Sequence, residues 1–246
     1  MTLSNETISF SRVVEQHQIL AVLQPTCASP DWMRLGVTRN PYARFYWAWE
    51  NRVFLPYPGA PVALVAASHD VLVDGQLDLG ASFRGFVDQL IDQPRLADLD
   101  HHFHPQVTCL QPAELAYTDL VDVSGVASLG DKIAHRTGLP FSLPRTNEGL
   151  GIDWRTMFDD RSAGFVEQHY QQDFDTFGYE RVVFSSEPPP QVLPVLAVRL
   201  VDTVRQRDTR IRAFAAEGRR THVTRLGAIS LRRRLRSVIA PMRRPS

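Results

Sequence analysis

An α/β fold with a mainly parallel sheet flanked by helices, plus a helical C-terminal extension, is the architecture this sequence predicts. Three observations predict it. Short apolar runs suited to buried strands alternate with segments whose apolar residues recur at helical spacing. Proline and glycine mark the connections between them. At 246 residues, 43% of them apolar and 22% charged, the chain is long enough to bury a full core as one domain.

In chain order, Ile8 to Leu23 places Val13, Val14, Ile19, Leu20 and Leu23 on one helical face. Pro25 and Pro30 make the next segment a connector, and Met33 to Thr38 is short and apolar enough for a buried strand. Pro41 suits the first turn of a helix, where its missing N–H costs nothing, and this helix is expected to run to about Val53. Residues 55–80 are rich in Pro and Gly and read as irregular, with "PVALVAAS" a short strand or helix. "SFRGFVDQLIDQ" is a compact helix with Phe83, Phe86, Val87 and Leu90 on one face. "DLDHHFHPQVTCL" reads as a loop entering an extended segment, since Pro105 biases His104 away from helix. "LVDVSGVASLGDKIAHRTGL" reads as strand, turn and helix, with Gly138 as C-cap. Asp159 or Asp160 then opens a helix that Gly178 ends, and Leu193 to Phe214 suggests one long helix. No internal repeat is visible. The expected boundaries are an α/β domain over 1–182, a Pro-rich linker and long amphipathic helix over 183–218, and an Arg-rich tail over 219–246.

Charge is unevenly placed. The net charge is zero, yet residues 219–246 carry nine arginines and no acid, so residues 1–218 carry −9. Lys132 is the only lysine. The tail reads first as a solvated arm; contact with an anionic surface, or pairing with the acidic body of a second copy in a homodimer, is the alternative. No stretch is long and apolar enough for a membrane span, and the N-terminus lacks the pattern of a secretory signal. Cys27 and Cys109 alone make no disulfide framework, which points to a reducing, cytoplasmic setting. No nucleic-acid partner is expected.

The stretch "VTRNPYARFYWAW" carries the first candidate site. Ligands of α/β folds gather where strands end and helices begin. A helix opening at Pro41 offers unpaired backbone N–H groups and a partial positive charge, and Arg39 adds a fork of donors suited to phosphate oxygens. Arg44, about one turn into the helix, would reinforce the site or pair with Glu50 on the surface. The plain alternative is an N-capped helix whose arginine meets solvent.

The stretch resembles the 3′-phosphate-binding motif of the sulfotransferase family, particularly the carbohydrate sulfotransferases and their bacterial relatives. That motif runs Arg-Asp/Asn-Pro-x-x-Arg-x-x-Ser-x-Tyr/Trp; Arg39, Asn40, Pro41, Arg44 and Trp49 match it, and Trp47 stands where the family has serine. "DHHFHPQVTCL" resembles the family's histidine segment, with His102, Pro105, Gln106 and Cys109 in place. "VEQHYQQDFDTFGYE" resembles its closing helix, with Tyr170, Asp173, Phe174, Phe177, Gly178 and Tyr179 in place. The likeness spans about residues 33–180.

The resemblance implies a P-loop-like sulfotransferase fold and transfer of a sulfuryl group from 3′-phosphoadenylyl sulfate to a hydroxyl of a carbohydrate, lipid or small metabolite, without a metal. It assigns the 3′-phosphate to Arg39, Asn40, Arg44 and the Trp47 position, and to Arg145 with the Gly149-Leu150-Gly151 turn. It implies a 5′-phosphosulfate loop of the form Pro-Lys-x-Gly-x-Ser/Thr, of which Thr7 alone would be the remnant; the expectation is that the chain lacks the first strand and most of that loop. For the base that takes the acceptor's proton, His102 is the first candidate and His104 the second, because imidazole titrates near neutrality. Two rival readings remain: a polar loop whose histidines only hydrogen-bond, and a metal site built on His102 and His104 facing one way from an extended segment. A catalytically degenerate binding protein is the alternative function, favoured by Trp47 and the missing lysine.

Overall fold

The computed structural model describes residues 32–56, 60–67, 69–141, 149–194, 197–207, 209–211, 213–214 and 217. The expected helix over 8–23, the Arg-rich tail, Thr7 and Arg145 lie outside the described residues. The elements are, in chain order, β1 (Leu35–Thr38), α1 (Pro41–Trp49) continued by a π-helical turn (Glu50–Phe54), α2 (Val62–Ala66), β2 (Val71–Val73), β3 (Gln76–Asp78) and α3 (Leu79–Asp92). Two 3-10 turns (Pro94–Leu99 and His101–Phe103) lead to α4 (Gln106–Leu110), β4 (Asp119–Asp122) and α5 (Val126–Thr137). A 3-10 turn (Trp154–Thr156), α6 (Asp160–His169), α7 (Gln171–Phe177) and β5 (Val192–Leu193) complete the named elements, and 197–207 is helical.

The result is a mixed α/β chain, mostly helical. The mainly parallel sheet expected from the sequence is reduced, among the described residues, to one parallel pair, β1 with β4. The other sheet is antiparallel, in the order β2-β3-β5. Its hairpin falls inside the stretch read as irregular. Asp74 and Gly75 both take positive φ, 52° and 74°, the turn that matches the twist of two antiparallel strands. The expected single helix after Asp159 is two helices, because Tyr170 leaves helical geometry at φ −110°, ψ 24°. The expected long C-terminal helix begins only after β5.

The chain divides into two compact units. The first comprises Met1–Pro41, Pro105–Asn147 and His169–Arg181. Here β1 runs beside β4 in register, Leu35 opposite Asp119 through Thr38 opposite Asp122. Gly36 is required by this pairing: a Cβ there would stand 2.6 Å from Leu120 Cδ1 and 2.8 Å from Tyr117 Cε1. A 3-10 turn capped by Asp122 leads from β4 into α5, which Gly138 ends at φ 68°. Tyr170, Phe174 and Leu129 are buried.

The second unit comprises Tyr42–His104, Glu148–Gln168 and Val182–Ser246. Its core is aromatic, which answers why α1 crowds so many rings. Phe45 and Trp49 meet Phe83 at centroid distances of 5.8 and 5.3 Å, Trp49 stacks on Phe54 at 5.1 Å, and Phe83 meets Phe158 at 4.8 Å. Ring edges set against ring faces in this way add to the area they bury. Asp78 caps α3 by accepting from Ala81 N at 3.1 Å, and it accepts from Gln191 N at 3.2 Å. Arg205, on the C-terminal helix, lies over the Phe54 ring and pairs with Asp70 at 2.6 Å.

Candidate functional site

In the first unit, three separated motifs converge on the backbone of Arg39. The Gln106 side chain pairs with that residue's main chain twice: Arg39 N donates to Gln106 Oε1 at 2.8 Å, and Gln106 Nε2 donates to Arg39 O at 2.8 Å. Gln106 is itself held by Asp173, a fully buried carboxylate on α7 that accepts from Gln106 N at 2.7 Å and from Val107 N at 2.8 Å. Those two N–H groups open α4, so Asp173 caps a five-residue helix from a distant part of the chain. Beside Arg39, Thr38 Oγ1 lies 2.8 Å from Tyr179 Oη, which donates to Asp122 Oδ2 at 2.7 Å. Burial, reinforced by Asp122, raises the Tyr179 phenol well above its ordinary range. Burial also pushes the Asp122 carboxyl up, but its bonds from Ser124 and Tyr179 outweigh this and hold it below the usual range. The C-terminal ends of the two parallel strands are thus rigidly hydrogen-bonded, with Arg39 and Asn40 on the first residues beyond β1.

In the second unit His101 and His102 sit in a 3-10 turn; His104, at its end, is extended (φ −69°, ψ 147°) as expected before Pro105, but the segment that follows is helical. Asp100 caps that turn, and Pro105 starts a helix. Local capping wins because the Asp100 carboxylate satisfies the His102 N–H at 3.0 Å. The same oxygen accepts from the His102 ring at Nδ1, at 2.6 Å, while the other accepts from Arg52 Nε at 2.6 Å. Burial acts to raise the Asp100 carboxyl, yet the bonds from His102 and Arg52 together bring it below the ordinary value. With Nδ1–H engaged, the neutral His102 ring keeps its lone pair on Nε2, and the ring is about half exposed. His104 is half-buried, and its Nε2 lies 3.4 Å from the Asp98 carbonyl. The two side chains do not share one face of a strand. Among the described residues, the metal-competent grouping is Asp100, His101 and His102, whose ligand atoms lie within 4.8 Å of one another. Burial and the neighbouring His102 ring lower the His101 imidazole. Arg52 already fills one Asp100 oxygen, so a cation there would meet a fixed positive charge.

Arg44 braces this turn. Its Nη1 donates to the His104 carbonyl at 2.5 Å, with Nη2 3.5 Å from the His101 carbonyl. The expected surface pair with Glu50 does not occur, because Glu50 is buried. It sits where α1 widens into the π-helical turn, and Oε1 accepts from Tyr46 Oη at 3.2 Å and from Leu150 N at 2.9 Å. Asn51 Nδ2 satisfies the Trp47 carbonyl at the same junction, at 2.9 Å. Gly149 is packed so closely that an added Cβ would sit on Glu50 Oε2 and 2.7 Å from Trp47 Cζ3. Trp47, in the family's serine position, therefore stands against the Gly149 turn. Gly149→Ala is expected to cost about 1–3 kcal/mol of stability through this overpacking, measurable by urea unfolding.

Of the residues expected from the sequence, the structure joins Gln106 and Asp173 to the Arg39 backbone; the bonds of Asp100 to His102 and Arg52 and the burial of Glu50 were not expected. The Asp-x-His spacing, an aspartate two residues before the amide it caps, was the available signal for Asp100. Comparison of the chain with known families, curated proteins and solved structures finds no match. No helix among the described residues is long and apolar enough to cross a membrane.

Proposed function

We propose that this chain is a sulfotransferase-like protein that uses 3′-phosphoadenylyl sulfate and sulfates a hydroxyl of a carbohydrate, lipid or small metabolite. The observation that carries the reading is the double hydrogen bond of Gln106 to the Arg39 main chain, with Asp173 behind it. Three motifs of the resemblance, far apart in sequence, join in one network around the arginine assigned to the 3′-phosphate. A backbone so restrained presents its side chain and the opening of α1 to an anion without a large ordering cost.

In the reaction, the acceptor oxygen forms a bond to sulfur as the bond from sulfur to the bridging phosphate oxygen breaks, releasing 3′-phosphoadenosine 5′-phosphate. The acceptor's proton passes to His102 Nε2, and Asp100 steadies the imidazolium that results. Arg39, Asn40, Arg44, the Trp47 position, Gly149, Arg145 and Thr7 keep the nucleotide roles that the resemblance gives them. The protein works in a reducing, cytoplasmic setting.

The second reading, a catalytically degenerate nucleotide- or protein-binding descendant, is favoured by two observations. Trp47 is packed against Gly149, where the family has a hydroxyl. The only lysine, Lys132, is ion-paired with Asp119.

Calorimetric titration with 3′-phosphoadenosine 5′-phosphate tests the assignment. The unaltered protein is expected to bind, and Arg39→Ala to lose about 10- to 100-fold in affinity, the worth of a charge-assisted hydrogen bond to phosphate. Binding without any loss in Arg39→Ala removes Arg39 from the site; binding without sulfuryl transfer selects the second reading.

A further inference from the structure

Glu50 is a buried ionisable group that the proposed reaction does not use. It is 1% exposed, at the first residue of the π-helical turn, a form that recurs at functional sites. One of its oxygens is fully engaged by Leu150 N and Tyr46 Oη. The other, Oε2, is buried without a hydrogen-bond partner and lies against Gly149.

We propose that Glu50 is the positioning residue of the Gly149–Leu150 turn, setting the height of that turn above α1 through the Leu150 N–H. As a statement about nucleotide binding, this rests on the reading of the turn as part of the phosphate site. The carboxyl does this in its protonated form. An ionised Oε2 in that position would be buried without a hydrogen-bond donor, whereas the acid keeps Oε1 as acceptor for Leu150 and leaves no buried charge. Gly149 is the residue that lets the turn come this close, and any side chain there would displace it.

The groups facing Glu50 leave its proton as the variable. Tyr46, on α1, is raised by burial and by Glu50 far beyond the neutral range, so it stays a donor throughout. Among the described residues the turn contributes the Leu150 N–H, and Trp47 is uncharged. Arg52, on the π-helical turn itself, is bound to Asp100. Arg145 and Glu148 precede the turn outside the described residues; Arg145 keeps its charge throughout, and the glutamine variant separates any titration of Glu148 from that of Glu50. Burial raises the Glu50 carboxyl above its ordinary 4.5, so the closed turn holds the proton more tightly than the open one. Closure is therefore firmest at and below pH 4.5 and loosens as pH rises from there to the folded-state value, by about tenfold per pH unit, then levels off.

Hydrogen exchange of the Leu150 amide, followed by NMR on the full chain between pH 4.5 and 8, reads this directly. Protection in the unaltered protein is expected to fall across that window. Glu50→Gln keeps an acceptor for Leu150 and is expected to hold protection level with pH; Glu50→Ala is expected to lose about tenfold or more at pH 5. Protection that is flat with pH in the unaltered protein, or unchanged in Glu50→Ala, overturns the proposal. Should Glu50→Ala fail to fold, the unaltered protein and Glu50→Gln still decide it. In parallel, affinity for 3′-phosphoadenosine 5′-phosphate is expected to weaken over the same pH window only where Glu50 is present. Affinity that stays level while Leu150 protection falls overturns the link from the turn to the nucleotide. No binding at any pH defeats the sulfotransferase reading, while the Leu150 series still judges Glu50.

Discussion

Asp173→Ala is expected to lower the unfolding free energy by about 3–5 kcal/mol, the range for removing one partner of a buried, charge-assisted network. Asp173 has no exposed surface and accepts from the backbone of both Gln106 and Val107. Alanine leaves the buried Gln106 amide and the part-buried Val107 amide at the start of α4 without their acceptor. The damage extends to Arg39, because Gln106 holds that residue's N–H and carbonyl from the same short helix. Urea unfolding monitored by circular dichroism gives the free energy. Asp173→Asn keeps one acceptor oxygen and is expected to lose less. A loss below about 1 kcal/mol for the alanine variant would mean that water or a rearranged backbone replaces the carboxylate.

The largest expected effect on catalysis is at His102. If His102 Nε2 takes the acceptor's proton, His102→Ala lowers kcat by about 100- to 10,000-fold with little change in nucleotide affinity. Asp100→Asn is expected to approach that loss, since an amide no longer fixes the proton on Nδ1 or steadies a charged ring. His104→Ala, which removes a half-buried ring lying 3.4 Å from one carbonyl and remote from the Asp100 carboxylate's bonds, is expected to leave kcat little changed. An undiminished rate in His102→Ala assigns the proton elsewhere. Asp100→Asn also carries a pH signature. The carboxyl sits below its ordinary 3.8 in the folded chain, so its stabilisation is present above that value and is lost as pH falls through the lower folded one. The asparagine variant lacks that acid limb, which a series of urea unfolding curves at decreasing pH would show.

Local chemistry was legible wherever a residue acts on its own neighbours. Pro41 opens α1, Asp159 caps the helix beginning at Asp160 by accepting from Ser162 N at 2.7 Å, and Gly138 and Gly178 end helices at positive φ. The Asp74-Gly75 hairpin was equally legible by its turn signal but was hidden among prolines and glycines that suggested an irregular loop. The break at Tyr170 was not legible. Residues on both sides favour helix, and the break is set by burial of Tyr170 and by the demand that Asp173 reach α4.

The same division runs through the candidate sites. By itself, the sequence determined that Arg39 stands between a strand and a helix, that His102 follows an aspartate by two residues, and that aromatic rings line one segment. Those are matters of spacing along a chain, and backbone periodicity turns spacing into position. Only the tertiary structure decided that Gln106 and Asp173 clamp the Arg39 backbone, that Arg44 braces the histidine turn, and that Glu50 lies buried under Gly149. Each of those contacts joins residues 57 to 100 positions apart. Over such separations local preference carries no information, and the partner of a polar group is chosen by which hydrogen bonds remain possible once the core has closed.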